Sequence, residues 1–466
     1  MAEQAEATEA GGRGRRWRSG SAGLGLCVAA GTLSQLGDTM QMFAVNWEAT
    51  RYGARVAGLV ATVGVLPRAV LMLVGGVLAD RYGIRRIMII CDAVMAVLVA
   101  IGCAVLVSSD AGLAVIVGLA VGGGIVSAFY LPAAGGFVRL FVPDDRLAIV
   151  GARVAGVQQL ARMVGPALGA VSIVAFGLTG TLGLNLATFL IILMALIMVR
   201  PPRRLAAVES TGHPGRQVLD GPRPDPPISA YCAAPYGHTD GVADAQRSTR
   251  PPSRRRRRHC TRLVPLVTAQ IGGSSLRRAA RTPGMPAALG SVALVAGGVL
   301  PVIYLGVPLL ARELAWGAPA AGWIESAWIV GSLLVTGVIA KFGPARRMGL
   351  LIMLGPLVAA VGAAMIATAP LVPVAVGGSV LLGVGTAAFT GHLGPLYLAW
   401  TPPELTGRFQ SLFGIVQAVP LVLVNTPYGL LADSFGARIA LLASAAISLV
   451  AALLVGATRR LRTATH

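Results

Sequence analysis

Runs of about 20 or more mostly apolar residues recur from residue 21 to residue 456, separated by short gaps that hold much of the arginine. A helical run of that length matches the hydrocarbon thickness of a bilayer, and a helix satisfies its own backbone hydrogen bonds there. The pattern excludes the two or three soluble domains that 466 residues would otherwise suggest. Charged residues make up only 12% of the chain, against roughly one quarter in a globular protein.

The runs fall at 21–47, 55–79, 86–108, 112–138, 147–176 and 180–199, then at 287–311, 319–340, 347–368, 371–399, 404–431 and 437–456. The expected fold class is therefore an all-α membrane protein of twelve transmembrane helices in two pseudo-symmetric six-helix halves. These halves occupy residues 21–200 and 287–458. Residues 1–20 and 459–466 form tails, and 201–286 form an Arg/Pro-rich linker expected to be disordered. The halves echo each other: Gly76-Val-Leu-Ala recurs as Gly337-Val-Ile-Ala, and a shift of 259 places Gln158 on Gln417. Two related halves point to a secondary transporter with its site at the midplane between them.

The formal charge of +20 would suit a nucleic-acid binder, but its distribution is that of a topology signal. With the N-terminus inside and the central stretch left aside, twenty Arg and Lys residues lie in the tails and in or near the cytoplasmic gaps, and four (Arg51, Arg55, Arg312, Arg438) lie in or near the outer ones. Both termini are thus expected in the cytoplasm. Lys341 is the single lysine, which reads as coding bias of a GC-rich genome, so a multi-pass protein of a bacterial plasma membrane is expected. The stretch 205–281 breaks character, with thirteen arginines in 205–286 including Arg254 to Arg258. Two readings stay open: out-of-frame translation between two compensating shifts, or a disordered cytoplasmic loop able to touch anionic lipid. The five cysteines show neither metal-ligand spacing nor a disulfide framework. No nucleophile elbow or phosphate loop occurs, so neither an enzyme nor a cofactor is expected.

Gly76-Val-Leu-Ala-Asp80-Arg81-Tyr-Gly83-Ile-Arg85-Arg86 joins spans two and three. It resembles the signature loop of the major facilitator superfamily, Gly-x-Leu-Ala-Asp-Arg-x-Gly-x-Arg-Arg. Gly76 permits close helix approach and Gly83 a tight turn, while the Asp80 anion suits the positive N-terminus of span eleven. In that family this contact latches the cytoplasmic side. Gly165-Pro166-Ala-Leu-Gly169 on span five is similar to the end of the antiporter signature of proton-coupled exporters in the superfamily, although alanines stand at 152 and 161 where glycines are expected. These small residues equally suit helix packing. Ser34-Gln-Leu-Gly-Asp38, Leu66-Pro67-Arg68 and Thr282-Pro-Gly-Met285 resemble the enterobactin-exporter and macrolide-efflux branch. The resemblance implies a monomeric carrier that exports a small organic molecule (a drug, siderophore or secondary metabolite) against protons by alternating access. Uptake is the rival within transport. A non-transporting sensor or a defective product is the rival of another class.

Polar residues within the runs are the candidate site. Ser34, Gln35, Asp38 and Gln41 fall within about 120° of one helix face, too costly to expose to lipid. Asp38 is placed to take and release a proton, with Arg68 on span two as its expected partner. Whether the carboxylate is paired or alone decides its charge. Glu325, aligned with Ser332 and Thr336, is the second proton candidate. Gln158 and Arg162 share a face of span five, and Arg162, always charged, suits an anionic group. His392 and Gln417 complete the candidate cavity wall. Asp92, one to two turns inside span three, reads as the partner of a cytoplasmic arginine.

Overall fold

The structure, a computed structural model, describes residues 2–142, 144–199, 282, 284–401 and 406–463. Side chains are described from residue 23 onward, apart from 73–77, 79–80, 144–145, 148 and 406–411. All regular secondary structure among these residues is helical. The helices are α1 (Ala2–Ala49), α2 (Ala54–Tyr82), α3 (Ile84–Ser108), α4 (Gly112–Gly136) and α5 (Asp144–Met198). After the linker come α6 (Met285–Glu313), α7 (Gly317–Phe342), α8 (Met348–Thr368), α9 (Val372–Ala399), α10 (Thr406–Phe435) and α11 (Ala437–Ala457).

Ten helical segments among the described residues are long and apolar enough to cross a membrane. α1 is not one of them, because Ser34, Gln35, Asp38 and Gln41 dilute its hydropathy. One of the ten, Ile149–Met198, has 50 residues, about 75 Å if straight and more than twice a bilayer core. It turns back on itself at Gly177, whose φ of 67° and ψ of −173° are closed to other residues. The Ser172 and Thr181 hydroxyls lie 3.0 Å apart across this turn, where nine residues of straight helix would separate them by about 13 Å. α5 is therefore a helical hairpin, with a first arm before Gly177 and a second after it.

Small residues set the packing, as expected where lipid removes the hydrophobic incentive for helices to associate. In the N-terminal bundle, Gly165 and Gly169 of the first arm of α5 seat Thr39 and Met40 of α1. A Cβ on Gly165 would collide with Thr39 Oγ1, and one on Gly169 would stand 2.8 Å from the Met40 carbonyl oxygen. In the C-terminal bundle, a Cβ on Gly355 of α8 would stand 2.7 Å from the Gly385 carbonyl oxygen of α9.

The two bundles meet along α2 with α10 and along the first arm of α5 with α7. Gly58 would place a Cβ 2.6 Å from the Asn425 carbonyl oxygen, and Gly322 would place one 2.8 Å from that of Pro166. The Thr62 and Thr426 hydroxyls share a hydrogen bond of 2.7 Å. The two contacts join equivalent spans of the halves, α2 with α10 and α7 with the first arm of α5, and the shift of 259 carries Ala170, beside Gly322, onto Gly429, beside Gly58.

Candidate functional site

A cavity of about 320 Å³ lies between the bundles. α1 contributes Thr39, Met42 and Phe43, the first arm of α5 contributes Gln159, Arg162 and Pro166, and α6 contributes Ile303 and Tyr304. α7 adds Glu325, Trp328, Ile329, Ser332 and Thr336, and α9 adds Thr386, Ala387 and Thr390. From Glu325 to Thr336 the wall runs about 16 Å along α7. The deep end is closed, with Glu325 2% exposed, whereas Thr336 and Thr390 at the other end are exposed. The cavity thus opens toward the end of the molecule that carries the α2–α3 turn.

Its closed end is sealed by contacts between bundles. Arg312, at the far end of α6, donates to the Thr50 hydroxyl at 2.8 Å and to the Trp47 carbonyl at 3.0 Å. Its guanidinium lies 4.4 Å over the Trp47 ring. The Thr62–Thr426 bond and the Gly58 and Gly322 contacts belong to the same seal.

The cavity is polar at chosen points on a largely apolar wall, as small-molecule sites are. Arg162 reaches in from one bundle and touches Gln35 Oε1 at 3.4 Å. Glu325 enters from the other with Oε1 unpartnered, next to Trp328, whose Nε1 is also buried without a partner. Tyr304 stands within electrostatic range of Glu325, Arg162 and Arg68. It is carried on a π turn, Val302–Gly306, that follows Pro301. Such turns widen a helix locally and recur at functional sites.

The chain is matched by the family model for the Major Facilitator Superfamily over residues 27–424. The chain belongs to the major facilitator superfamily. Solved transporters share its fold at 11–13% identity. A D-xylose–proton symporter gives a TM-score of 0.65 at 13% identity, covering 95% of this chain and 100% of its own. The nucleoside transporter NupG gives 0.62 at 11%, covering 92% and 99%. A POT family transporter in complex with 5-aminolevulinic acid gives 0.61 at 12%, covering 94% and 96%. No curated protein matches the chain by sequence.

The superfamily's signature loop is described in part. The side chains of Gly76 and Asp80, and the whole of 402–405, lie outside the described residues, and so does the latch expected of them. Gly83 turns the chain with a φ of 87°, and Arg81 lies 5.7 Å over the Tyr82 ring. Arg86 is exposed. Arg85 donates to the Leu196 carbonyl at 3.0 and 2.6 Å and to that of Ile197 at 3.2 Å. It thereby caps the end of the second arm of α5, whose last carbonyls have no partner in the helix.

Several expected site residues stand elsewhere in this superfamily member. Asp38 and Arg68 are not paired. Asp38 turns into the N-terminal bundle, within hydrogen-bonding range of Asn185, while Arg68 on α2 lies within electrostatic range of Tyr304. Opposite charge on neighbouring spans did not fix which residues each side chain meets. Gln41 is buried and accepts from Asn185 Nδ2 at 2.8 Å, and Ser34 is buried. Neither Ser34 nor Gln41 lines the cavity, and Gln159 takes the place expected of Gln158. Gln417 lines a separate pocket of about 180 Å³ beside α6 and α9, which shares Thr386 and Thr390 with the central cavity.

His392 is 2% exposed and fully used as a fastener. Its Nε2 accepts from the Ala345 N–H at 3.2 Å, which leaves Nδ1–H to donate to the Ala388 carbonyl at 2.8 Å. The α7–α8 turn folds back onto α9 to supply Ala345, a tertiary contact invisible to a count of spans. Asp92 is likewise buried at 2% and has no arginine partner among the described residues. Thr386, Thr390 and Tyr304 complete the cavity; the two threonines carry no signal in sequence, whereas Pro301 marks the break that presents Tyr304.

Proposed function

We propose that the chain is a twelve-span exporter of the bacterial plasma membrane, with both termini in the cytoplasm, moving a small organic molecule outward in exchange for protons. The count takes the α5 hairpin as two crossings and adds α1 to the remaining segments. With the termini inside, the cavity of the structure faces the cytoplasm and the Arg312–Trp47 seal faces outward, the state that loads an export substrate. Alternating access then consists of breaking that seal and closing the end that carries the signature loop.

The observation that carries this reading is the placement of Arg162 and Glu325 on opposite bundles around one cavity between them. A substrate bound to both spans the interface that must rock, so its binding acts directly on the equilibrium between the two facing states. Glu325, deep and unpartnered, accepts either a proton or a cationic group of the substrate. The hydroxyls of Thr39, Ser332, Thr336, Thr386 and Thr390 supply adaptable hydrogen bonds.

Sensitivity profiling of a host with and without the protein identifies a substrate, and uptake of that compound into inverted vesicles under an imposed pH gradient tests the mechanism. Accumulation should depend on the gradient, fall at least tenfold in Glu325→Gln and Arg162→Gln, and survive deletion of 205–281. Accumulation in right-side-out vesicles instead would establish uptake. Gradient-driven accumulation at the normal rate in both variants would remove the two residues from the site.

A further inference from the structure

The N-terminal bundle contains a second polar site, outside the residues that line the cavity, that transport through the cavity leaves unexplained. Asp38 of α1 and Asp92 of α3 lie close enough to act on each other electrostatically, and both act on Tyr130 of α4. Asn185, on the second arm of α5 and 1% exposed, stands beside Asp38. The site is built around a gap in α1. A Cβ on Gly37 would collide with Asn185 Oδ1 and lie 2.5 Å from Thr188 Oγ1, so only glycine there lets the second arm of α5 approach. Asp92 is 2% exposed and its Oδ2 has no partner.

No positive charge among the described residues meets this pair. Arg68 of α2 lies within electrostatic range of Tyr304, Arg162 touches Gln35, and Arg85 caps carbonyls 196 and 197. The remaining titratable neighbour is Cys91, whose Sγ points to the Val126 carbonyl at 3.9 Å. Two carboxylates in such a setting cannot both keep their charge unless something positive joins them.

We propose that Asp38 and Asp92 together form a proton-binding site that holds one exchangeable proton inside the N-terminal bundle, apart from the Arg162–Glu325 cavity. One carboxyl carries the proton as O–H while the other remains a carboxylate; release passes the proton to water in the state where water reaches half-buried Asp38 and its hydration offsets the second charge. The neighbours favour a proton over a metal cation. The Asn185 amide oxygen already accepts from Thr188 Oγ1 at 2.8 Å, and the Gln41 amide oxygen already accepts from Asn185. The group that Asn185 has left to offer Asp38 is N–H, a donor that stabilises a carboxylate and repels a cation. A metal ion would need several further oxygens, whereas a proton needs only the pair.

The inference deepens the proton-coupling reading above, but its test needs no substrate. Infrared difference spectra of the purified full-length protein in nanodiscs, recorded across pH in a Glu325→Gln background, should show one carboxyl C=O band that appears as the proton is bound. Asp38→Asn and Asp92→Asn should each abolish that band or move its midpoint by at least tenfold in proton affinity, and Asp92→Glu should retain it. A band unchanged in either asparagine variant overturns the pair, and a band erased at constant pH by sodium chloride but not by choline chloride overturns the proton in favour of a cation. Should a variant fail to fold, an apolar carbodiimide on the wild-type protein reads the same site by mass spectrometry. Labelling at Asp38 or Asp92 that rises as pH falls supports it, and labelling at Glu325 alone overturns it. A band present without gradient-driven transport would instead count against the transport reading and leave the pair standing.

Discussion

Arg312 holds Trp47 twice, from above the ring at 4.4 Å and through a hydrogen bond to its backbone carbonyl at 3.0 Å. One residue ends α6 and the other lies near the end of α1, so the pair joins the two bundles at the closed mouth of the cavity. A shielded cation–π contact contributes up to about 2 kcal/mol, and a charge-assisted hydrogen bond about 1.5–3 kcal/mol. Loss of 2–3 kcal/mol corresponds to a shift of roughly 30- to 150-fold between facing states. Arg312→Ala should therefore populate a state open at this mouth. Reaction of a cysteine at Thr62 with a membrane-impermeant thiol reagent applied from outside should accelerate by that order, and an unchanged rate would show that the seal rests elsewhere.

The glycine contacts of the same seal make a second, independent lever. A methyl at Gly58 meets backbone in α10, and one at Gly322 meets the Pro166 carbonyl and Ala170 Cβ; backbone cannot yield as a flexible side chain can. Gly58→Ala and Gly322→Ala should each wedge the bundles apart and raise the same outside labelling rate by about tenfold or more. Gly118→Ala, where nothing stands within 4 Å, should leave it unchanged. Circular dichroism should show equal helix content in all three, because the added methyl presses on a neighbouring helix and leaves the hydrogen bonds within each helix intact.

The apolar runs, the Gly83 turn and the polar face of α7 were legible because each is a local pattern: hydropathy, a backbone demand, or a helical period. Arg162 and Glu325 were legible as charges that lipid would penalise. The partners were not. Asp38 and Arg68 looked matched as opposite charges on neighbouring spans, yet each helix packs against distant chain, α1 through Gly37 on Asn185 and α2 through Gly58 on α10, and the two side chains have different neighbours. Asp92 was read as an arginine's partner because arginines abound nearby in sequence, while in space Arg85 is engaged with carbonyls more than a hundred residues away. The stretch 205–281 lies outside the described residues, and neither of its two readings gains from the fold.

The sidedness of the cavity can be checked without a substrate. In a cysteine-free background, cysteines at Thr336 and Thr390 should react with an impermeant maleimide in inverted vesicles and resist it in right-side-out vesicles, by at least tenfold in rate. The two residues lie on α7 and α9, both line the cavity and both are exposed at its open end. The reverse preference would place the open end outside and reverse the orientation drawn from the arginine distribution.

His392 offers the sharpest contrast between a titratable residue and a functional one. Both ring nitrogens are committed, Nε2 as acceptor from Ala345 and Nδ1–H as donor to Ala388, so the geometry demands the neutral ring with its proton on Nδ1. Removing the acceptor leaves the half-buried Ala345 N–H without its partner, at a cost of about 1 kcal/mol. His392→Leu should therefore lower the melting temperature in detergent. His392→Gln, whose amide oxygen can accept from the same N–H, should recover part of the loss. Neither should move the pH dependence of transport, since the ring neither lines the cavity nor has a free nitrogen on which to carry a proton. A displaced pH profile in His392→Gln, with stability retained, would return this histidine to the coupling mechanism.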